Sequence, residues 1–193
     1  PVSLRALAPT DRLDVRTRTP LSAAATAEVC RRVESVFRSS DGLIVLDHFQ
    51  GNRSPHTDPL ARGVLSGLSL SHGPGHVYRA ILEGVCYGTE DILRTLREHG
   101  FDPTHHVVSG GPAASDLWMQ LHADVSNVPI SFTRVSEGPV LGAAMIAAVG
   151  AGIHADLPAA AKAMVHIERT IEPDAARHEE YRFWVDRYQD LYA

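Results

Sequence analysis

Apolar and polar positions change period several times along the chain, and each change predicts an element. Ser22 opens a helical pattern, SAAATAEVCRRVESVFR, with Val29, Val33, Val36 and Phe37 on one face and Ser22 as N-cap. After the Asp41-Gly42 turn signal, LIVLDHF reads as a short buried strand. QGNRSPHTDPLARG is a polar loop, and VLSGLSL resumes a strand pattern interrupted at Gly67. VYRAILEGVCYGTEDILRTLREH then predicts a long helix, Val77 to His99, with Gly100 placed for a C′ residue. HHVV is a strand leading into SGGPAAS, and DLWMQLHADVSN is a helix with Trp118, Met119 and Leu121 toward the core. PISFTRV is a further strand, followed by EGPVLGAAMIAAVGAG, a small-residue helix opened by Pro139 and built for close packing. The tail EEYRFWVDRYQDLYA is amphipathic, with aromatics at helical spacing. Strand and helix alternate from Gly42 to Gly150, which argues an α/β layered domain. Residues 1–20 show little apolar period, so the expected organisation is a leader plus helix over 1–40 and one domain over 41–193.

Composition narrows the class. With 193 residues, 44% hydrophobic and 21% charged, the chain has the profile of one soluble globular domain. A net charge of −5 argues against a nucleic-acid partner, which would need a basic stripe to displace counterions. The basic residues are almost all Arg; Lys162 is the single lysine, and no glycine-rich loop precedes it, which removes a P-loop and leaves a Schiff-base enzyme little to stand on. Cys30 and Cys86 lie far apart, outside any metal spacing, and read as buried free thiols of a reducing cytoplasm. The longest apolar run, Pro139 to Ile153, is short of the ~18–20 residues a membrane span needs, so a cytoplasmic protein without a membrane partner is expected. The chain opens at Pro1 without Met, as a fragment or processed chain would.

Two stretches could carry chemistry. VVSGGPAASDLW is a strand–Gly-Gly–helix junction in which Gly110 and Gly111 leave backbone uncovered at the carboxyl end of a strand, where α/β sheets bind ligands. A flat nucleoside could lie on that backbone, with Ser115 and Asp116 reaching a ribose or base edge; a tight turn that merely needs glycine dihedrals fits the pattern as well. QGNRSPHTDP gathers Gly51, Asn52, Arg53, His56 and Asp58 in one loop, either a ligand rim or a surface loop in which Arg53 pairs with a nearby carboxylate. The eleven histidines offer no metal site: His72 and His76 are separated by Gly-Pro-Gly, and His105 and His106 alternate along a strand. No GxSxG elbow surrounds Ser109, Ser115 or Ser136.

GVLSGLSLSHGPGHVYRAILE, from Gly63 to Glu83, places Gly63, Leu65, Gly67, Leu68, His76, Val77, Ala80, Ile81, Leu82 and Glu83 at the constrained positions of a family signature. On these residues, on SGGPAASDLWMQLHADVSNVPI and on EGPVLGAAMIAA, the chain resembles the carboxyl-terminal domain of the FGGY family of carbohydrate kinases. GNRSP is most similar to the ribulokinase-like branch. The resemblance covers Leu43 to Gly152 well and the tail loosely. It implies a ribonuclease H-like, actin-like ATPase lobe, a mixed sheet flanked by helices, that closes over ATP against a second lobe. Family members transfer the γ-phosphoryl group of ATP to a sugar or polyol hydroxyl with Mg2+, and are often homodimers. By motif, Gly111 and Ser115 contact the nucleotide, Gly110 shapes the turn, and Gly51 approaches the phosphates. The family's Asp-Gly-Thr and Gly-Thr-Ser phosphate turns and its catalytic Asp have no counterpart here, and neither Asp47 nor Asp58 carries a motif for the base. The expectation is therefore a nucleotide-binding lobe that is silent without an amino-terminal sugar-binding lobe. A non-catalytic nucleotide-binding or scaffold module built on the same lobe is the alternative, and a dinucleotide enzyme using Gly110 and Gly111 lacks its acidic ribose ligand.

Overall fold

The computed structural model describes residues 39–192, so the helix expected from Ser22, and Cys30 with it, lies outside the described residues. β1 (Ile44–Leu46) is buried along its whole length and pairs antiparallel with the more exposed β2 (Val64–Ser66), Leu46 opposite Val64. Gly67, at φ +87°, ends β2, and a Cβ there would stand 2.8 Å from the Gly42 carbonyl. α1 (Pro74–Glu98) starts three residues before the apolar period predicts, because Pro74 supplies a first-turn φ and His76 Nδ1 accepts the Gly73 N–H at 2.9 Å. It stops at His99, with Gly100 at φ +84° in the expected C′ place. α1 lies directly on β1: Gly84 faces the Val45 carbonyl so closely that any Cβ would collide with it.

A second sheet has the order β3 (His106–Val108), β4 (Ile130–Thr133), β5 (Ile167–Ile171), with β3 parallel to β4 and β5 antiparallel. A 3-10 turn, Gly111–Ala114, and α2 (Asp116–Ser126) connect β3 to β4. α3 (Gly138–Gly150) and α4 (Leu157–Met164) connect β4 to β5, and α5 (Ala175–Asp190) closes the described chain. The main core joins β1, α1, α2 and α5 through Leu46, Leu82, Cys86, Tyr87, Leu121 and Tyr188. Each fully buried apolar side chain there contributes about 1.5–3 kcal/mol. A smaller core, Met119, Ala123, Ile130 and Phe132, sits between α2 and the second sheet. Arg79 donates from Nε to Glu83 at 2.7 Å in a buried ion pair within α1, and from Nη2 to the Tyr181 hydroxyl at 3.2 Å, which ties α1 to α5. Cys86 is a buried free thiol, and burial pushes its pKa well up.

Three features differ from expectation. β5 and α4 were not foreseen: IERTI is an exposed edge strand with no buried face, and α4 is one short helix capped by Asp156. α3, expected to pack closely, has no buried residue, and Val140 and Ile146 stand 65% and 64% exposed. An apolar helix left open in this way is a face without its cover among the described residues. His72 and His76, separated by Gly-Pro-Gly, nonetheless bring their rings edge to face at 5.5 Å. Their nitrogens serve turns, since His72 Nδ1 accepts the Ser69 N–H and His76 Nδ1 that of Gly73.

Candidate nucleotide site

β3 and β4 run parallel, so the Gly-Gly turn after β3 and the start of α3 after β4 lie side by side at the carboxyl ends of the strands. One carbonyl joins them: Ser136 O accepts the N–H of Gly110 at 2.8 Å and that of Gly138 at 3.1 Å. A Cβ on Gly138 would run into Ser109 Oγ, so glycine is what lets the two connections meet. Gly110 holds φ +88° and ψ −166°, a conformation reserved in practice for glycine. A Cβ at Gly110 or Gly111 would point into open space, leaving bare backbone of the kind a planar nucleoside needs. Ser115 is the N-cap of α2, its oxygen accepting the Trp118 N–H at 3.2 Å. Asp116 is held by Arg169, whose guanidinium also lies 3.7 Å from the Phe132 ring centre.

Behind the turn is a cavity of about 190 Å³ lined by His106, Val108, Pro112, Met119, His122 and Ile130. Burial, and next the charge of His106, push the His122 imidazole down to about 4, so it is neutral at physiological pH. A wider cleft, about 700 Å³, lies at the other end of the strands. Its Arg94 and Arg97 already pair with Glu90, Asp102 and Asp186.

Gly51 sits apart from the turn, in a loop fastened from α1 and from the end of α5. The Tyr188 hydroxyl donates to Asp47 at 2.6 Å, and Asn52 Nδ2 meets His48 Nε2 at 2.7 Å. The His56 amide donates to Asn52 Oδ1 at 3.1 Å, and its ring stacks on Tyr192 at 4.3 Å and 20°. Asp58 accepts the N–H groups of Leu60 and Ala61 and the Tyr192 hydroxyl, and the Leu60 amide is the main reason its carboxyl lies below the usual range. Gly51 holds φ +82°, with its imagined Cβ 2.9 Å from the Asp58 carbonyl and Pro59 Cα. Its N–H is spent on the His48 carbonyl at 3.2 Å, so close approach, not donation, is what it offers a ligand. Arg53 is exposed and, against the surface-loop expectation, forms no ion pair among the described residues. Tyr188 and Tyr192 were missed by sequence reasoning as loop partners; the aromatic spacing of the tail was the available signal. Among the described residues no group of three or more His, Cys, Asp or Glu side chains could hold a metal ion, and no helix is long and apolar enough to cross a membrane.

Comparison with known proteins bears on the family and the fold. Residues 11–151 match the family model described as "FGGY family of carbohydrate kinases, C-terminal domain", starting within the segment expected to be a leader. The xylulose kinase of Bacillus subtilis is 32% identical over 166 residues, covering 86% of this chain and 33% of that protein. The ribulokinase of Mycolicibacterium smegmatis is 38% identical over 123 residues, covering 64% of this chain and 22% of that protein. The crystal structure of xylulose kinase from Rhodospirillum rubrum superposes with a TM-score of 0.72 at 33% identity, over 88% of this chain and 34% of the other. A ligand-bound xylulose kinase from Lactobacillus acidophilus gives a TM-score of 0.76 at 26% identity, over 90% of this chain and 36% of the other. The chain thus spans about one third of the length of the xylulose kinases it matches. Its fold is that of the actin-like ATPase lobe, a mixed sheet flanked by helices. The chain belongs to the FGGY family of carbohydrate kinases, as its carboxyl-terminal domain.

Proposed function

We propose that this chain is the nucleotide-binding lobe of a cytoplasmic, ATP-dependent carbohydrate kinase that transfers the γ-phosphoryl group to a hydroxyl of a pentulose-like sugar. The observation that carries the reading is the bare Gly110-Gly111 backbone beside the start of α3, at the carboxyl ends of two parallel strands. Gly110 and Gly111 support the nucleoside face, Ser115 fixes the first turn of α2 beside it, and the amino end of α3 directs its partial positive charge at the same space. ATP, with Mg2+, supplies the transferable phosphoryl group. The general base and the sugar pocket come from an amino-terminal lobe, and the open faces of α3 and β2 are where further polypeptide packs. Relatives named xylulose kinase and ribulokinase support a ketopentose acceptor, and GNRSP favours the ribulokinase-like side.

Calorimetric titration of the chain with Mg-ATP tests the reading. Half of the phosphate contacts belong to the other lobe, so the expected affinity is weak, roughly 0.1–1 mM, and no sugar-dependent ADP release accompanies it. Submicromolar binding, or ADP release on adding a pentulose, would overturn the split-cleft reading; absence of any binding would overturn the nucleotide reading.

A further inference from the structure

Three carboxylates surround the 47–58 loop, and none of them pairs with the loop's own arginine. Asp47 accepts the Tyr188 hydroxyl at 2.6 Å. Asp58 is taken by two backbone N–H groups and by the Tyr192 hydroxyl. Asp91, buried on α1, accepts from Gln189 Nε2 at 2.6 Å and faces His56 Nε2 at 3.3 Å. Most other arginines in the described residues are in ion pairs, including Arg79, Arg94, Arg97, Arg169, Arg177 and Arg182. Hydroxyl, amide and imidazole groups thus occupy these carboxylates, and the Arg53 guanidinium stays exposed at the head of a fastened loop.

The loop is also fastened by two tyrosines. Tyr192 lies between two loop histidines, stacked on His56 and edge-on to His48 at 5.3 Å, while its hydroxyl reaches Asp58. One ring therefore touches both sides of the loop. Tyr188, edge-on to His48 from below, pins the entry of the loop at Asp47. A surface loop with no ligand needs no such support, whereas a guanidinium that must meet an anion in fixed geometry does, because ordering it in advance lowers the entropy cost of binding.

We propose that the 47–58 loop is an anion platform in which Arg53 contacts an oligophosphate group and Tyr192 is the positioning residue that holds the platform. The proposal rests on the nucleotide reading above and assigns the phosphate contact to Arg53 in place of Gly51, whose N–H is already spent.

Binding of tripolyphosphate and of adenosine to the full chain, measured separately at low salt, separates the two readings. Arg53→Gln is expected to weaken tripolyphosphate binding roughly tenfold, the size of a charge-assisted hydrogen bond, with adenosine binding and thermal midpoint unchanged. Tyr192→Ala should weaken tripolyphosphate several-fold and speed amide exchange at Asn52 and His56, and Tyr192→Phe, which keeps the stack, should restore most of both. Unchanged tripolyphosphate affinity in Arg53→Gln overturns the anion contact, and unchanged affinity in Tyr192→Ala overturns the positioning role. A chain that binds adenosine but no tripolyphosphate also overturns the platform and leaves the nucleoside shelf standing. A chain that binds neither adenosine nor ATP overturns the nucleotide reading beneath it.

Discussion

The 47–58 loop and the Gly110-Gly111 turn are both irregular, both lie beside strand ends, and are built on opposite principles. The loop is shaped by fastening: side chains from residues 91, 188 and 192 reach in to hold it. The turn is shaped by subtraction, with open space where two Cβ atoms would be and a single carbonyl, Ser136, linking it to the next connection. The difference implies opposite sensitivities. A fastened loop fails when a partner is removed, and a bare turn fails when an atom is added.

The largest effect should come from removing the fastener that is also core. Tyr188 is 1% exposed, packs with Leu46, Cys86, Tyr87 and Leu121, and gives its hydroxyl to Asp47. Tyr188→Ala should cost about 3–5 kcal/mol, a cavity cost of the kind seen for large aromatics, read as a lower urea midpoint at unchanged slope. Tyr188→Phe keeps the ring and strands Asp47, so it should cost about 1–2 kcal/mol. A loss below that in the alanine variant would mean the loop and core are not joined through this residue.

Next in size is a pH effect under the turn. Burial holds the His122 imidazole at about 4 in the folded protein, against an ordinary value of about 6.5 when unfolded. Between those values the unfolded chain binds the extra proton, so stability is fully present above the ordinary value and is lost as pH falls toward 4. Integrated over the window, the loss is about 3 kcal/mol. Urea unfolding at pH 7 and pH 4.5 checks it: His122→Asn should lose less stability than the parent between the two. Equal losses would show that His122 is not the group that titrates. His106, lowered in the same direction by burial, accounts for part of any remainder.

How much of this was legible in the sequence depended on how far apart the partners lie. α1 was legible from Val77 on because its apolar period and Gly100 are local signals, while its first turn at Pro74 went unread. The bare turn was legible for the same reason: two adjacent glycines after a strand need no distant partner to leave backbone uncovered. The loop's shape was not, because Tyr188 and Asp47 are separated by 141 positions and nothing near Asp47 announces a tyrosine. Of the two readings of the loop, the one in which Arg53 pairs with a carboxylate fails because Asp47, Asp58 and Asp91 are all taken by hydroxyl, amide or imidazole groups. β5 was missed because IERTI buries no face, so its only signal is the backbone pairing with β4. The small residues of α3 suggested close packing, which reads a capacity for contact and not the neighbour that would use it.

The smallest stability effects should come from the turn itself, and they separate its two glycines. Gly110 holds φ +88° with ψ −166°, where a Cβ is strained whatever the surrounding space, so Gly110→Ala should cost about 1–3 kcal/mol. Gly111 lies outside the left-handed region, in the 3-10 turn, and its Cβ would meet nothing within 4 Å. Gly111→Ala should therefore leave stability within about 0.5 kcal/mol, or raise it slightly by restricting the unfolded chain. Gly111→Val adds two more carbons to the same open space and should abolish adenosine binding without moving the thermal midpoint by more than a few degrees. No described residue comes within 4 Å of a Cβ at Gly111, so a ligand that uses the space is what the added carbons would strike. A Gly111→Val chain that binds adenosine as the parent does would reduce the Gly-Gly pair to a backbone turn, with Gly110 alone doing what the fold requires.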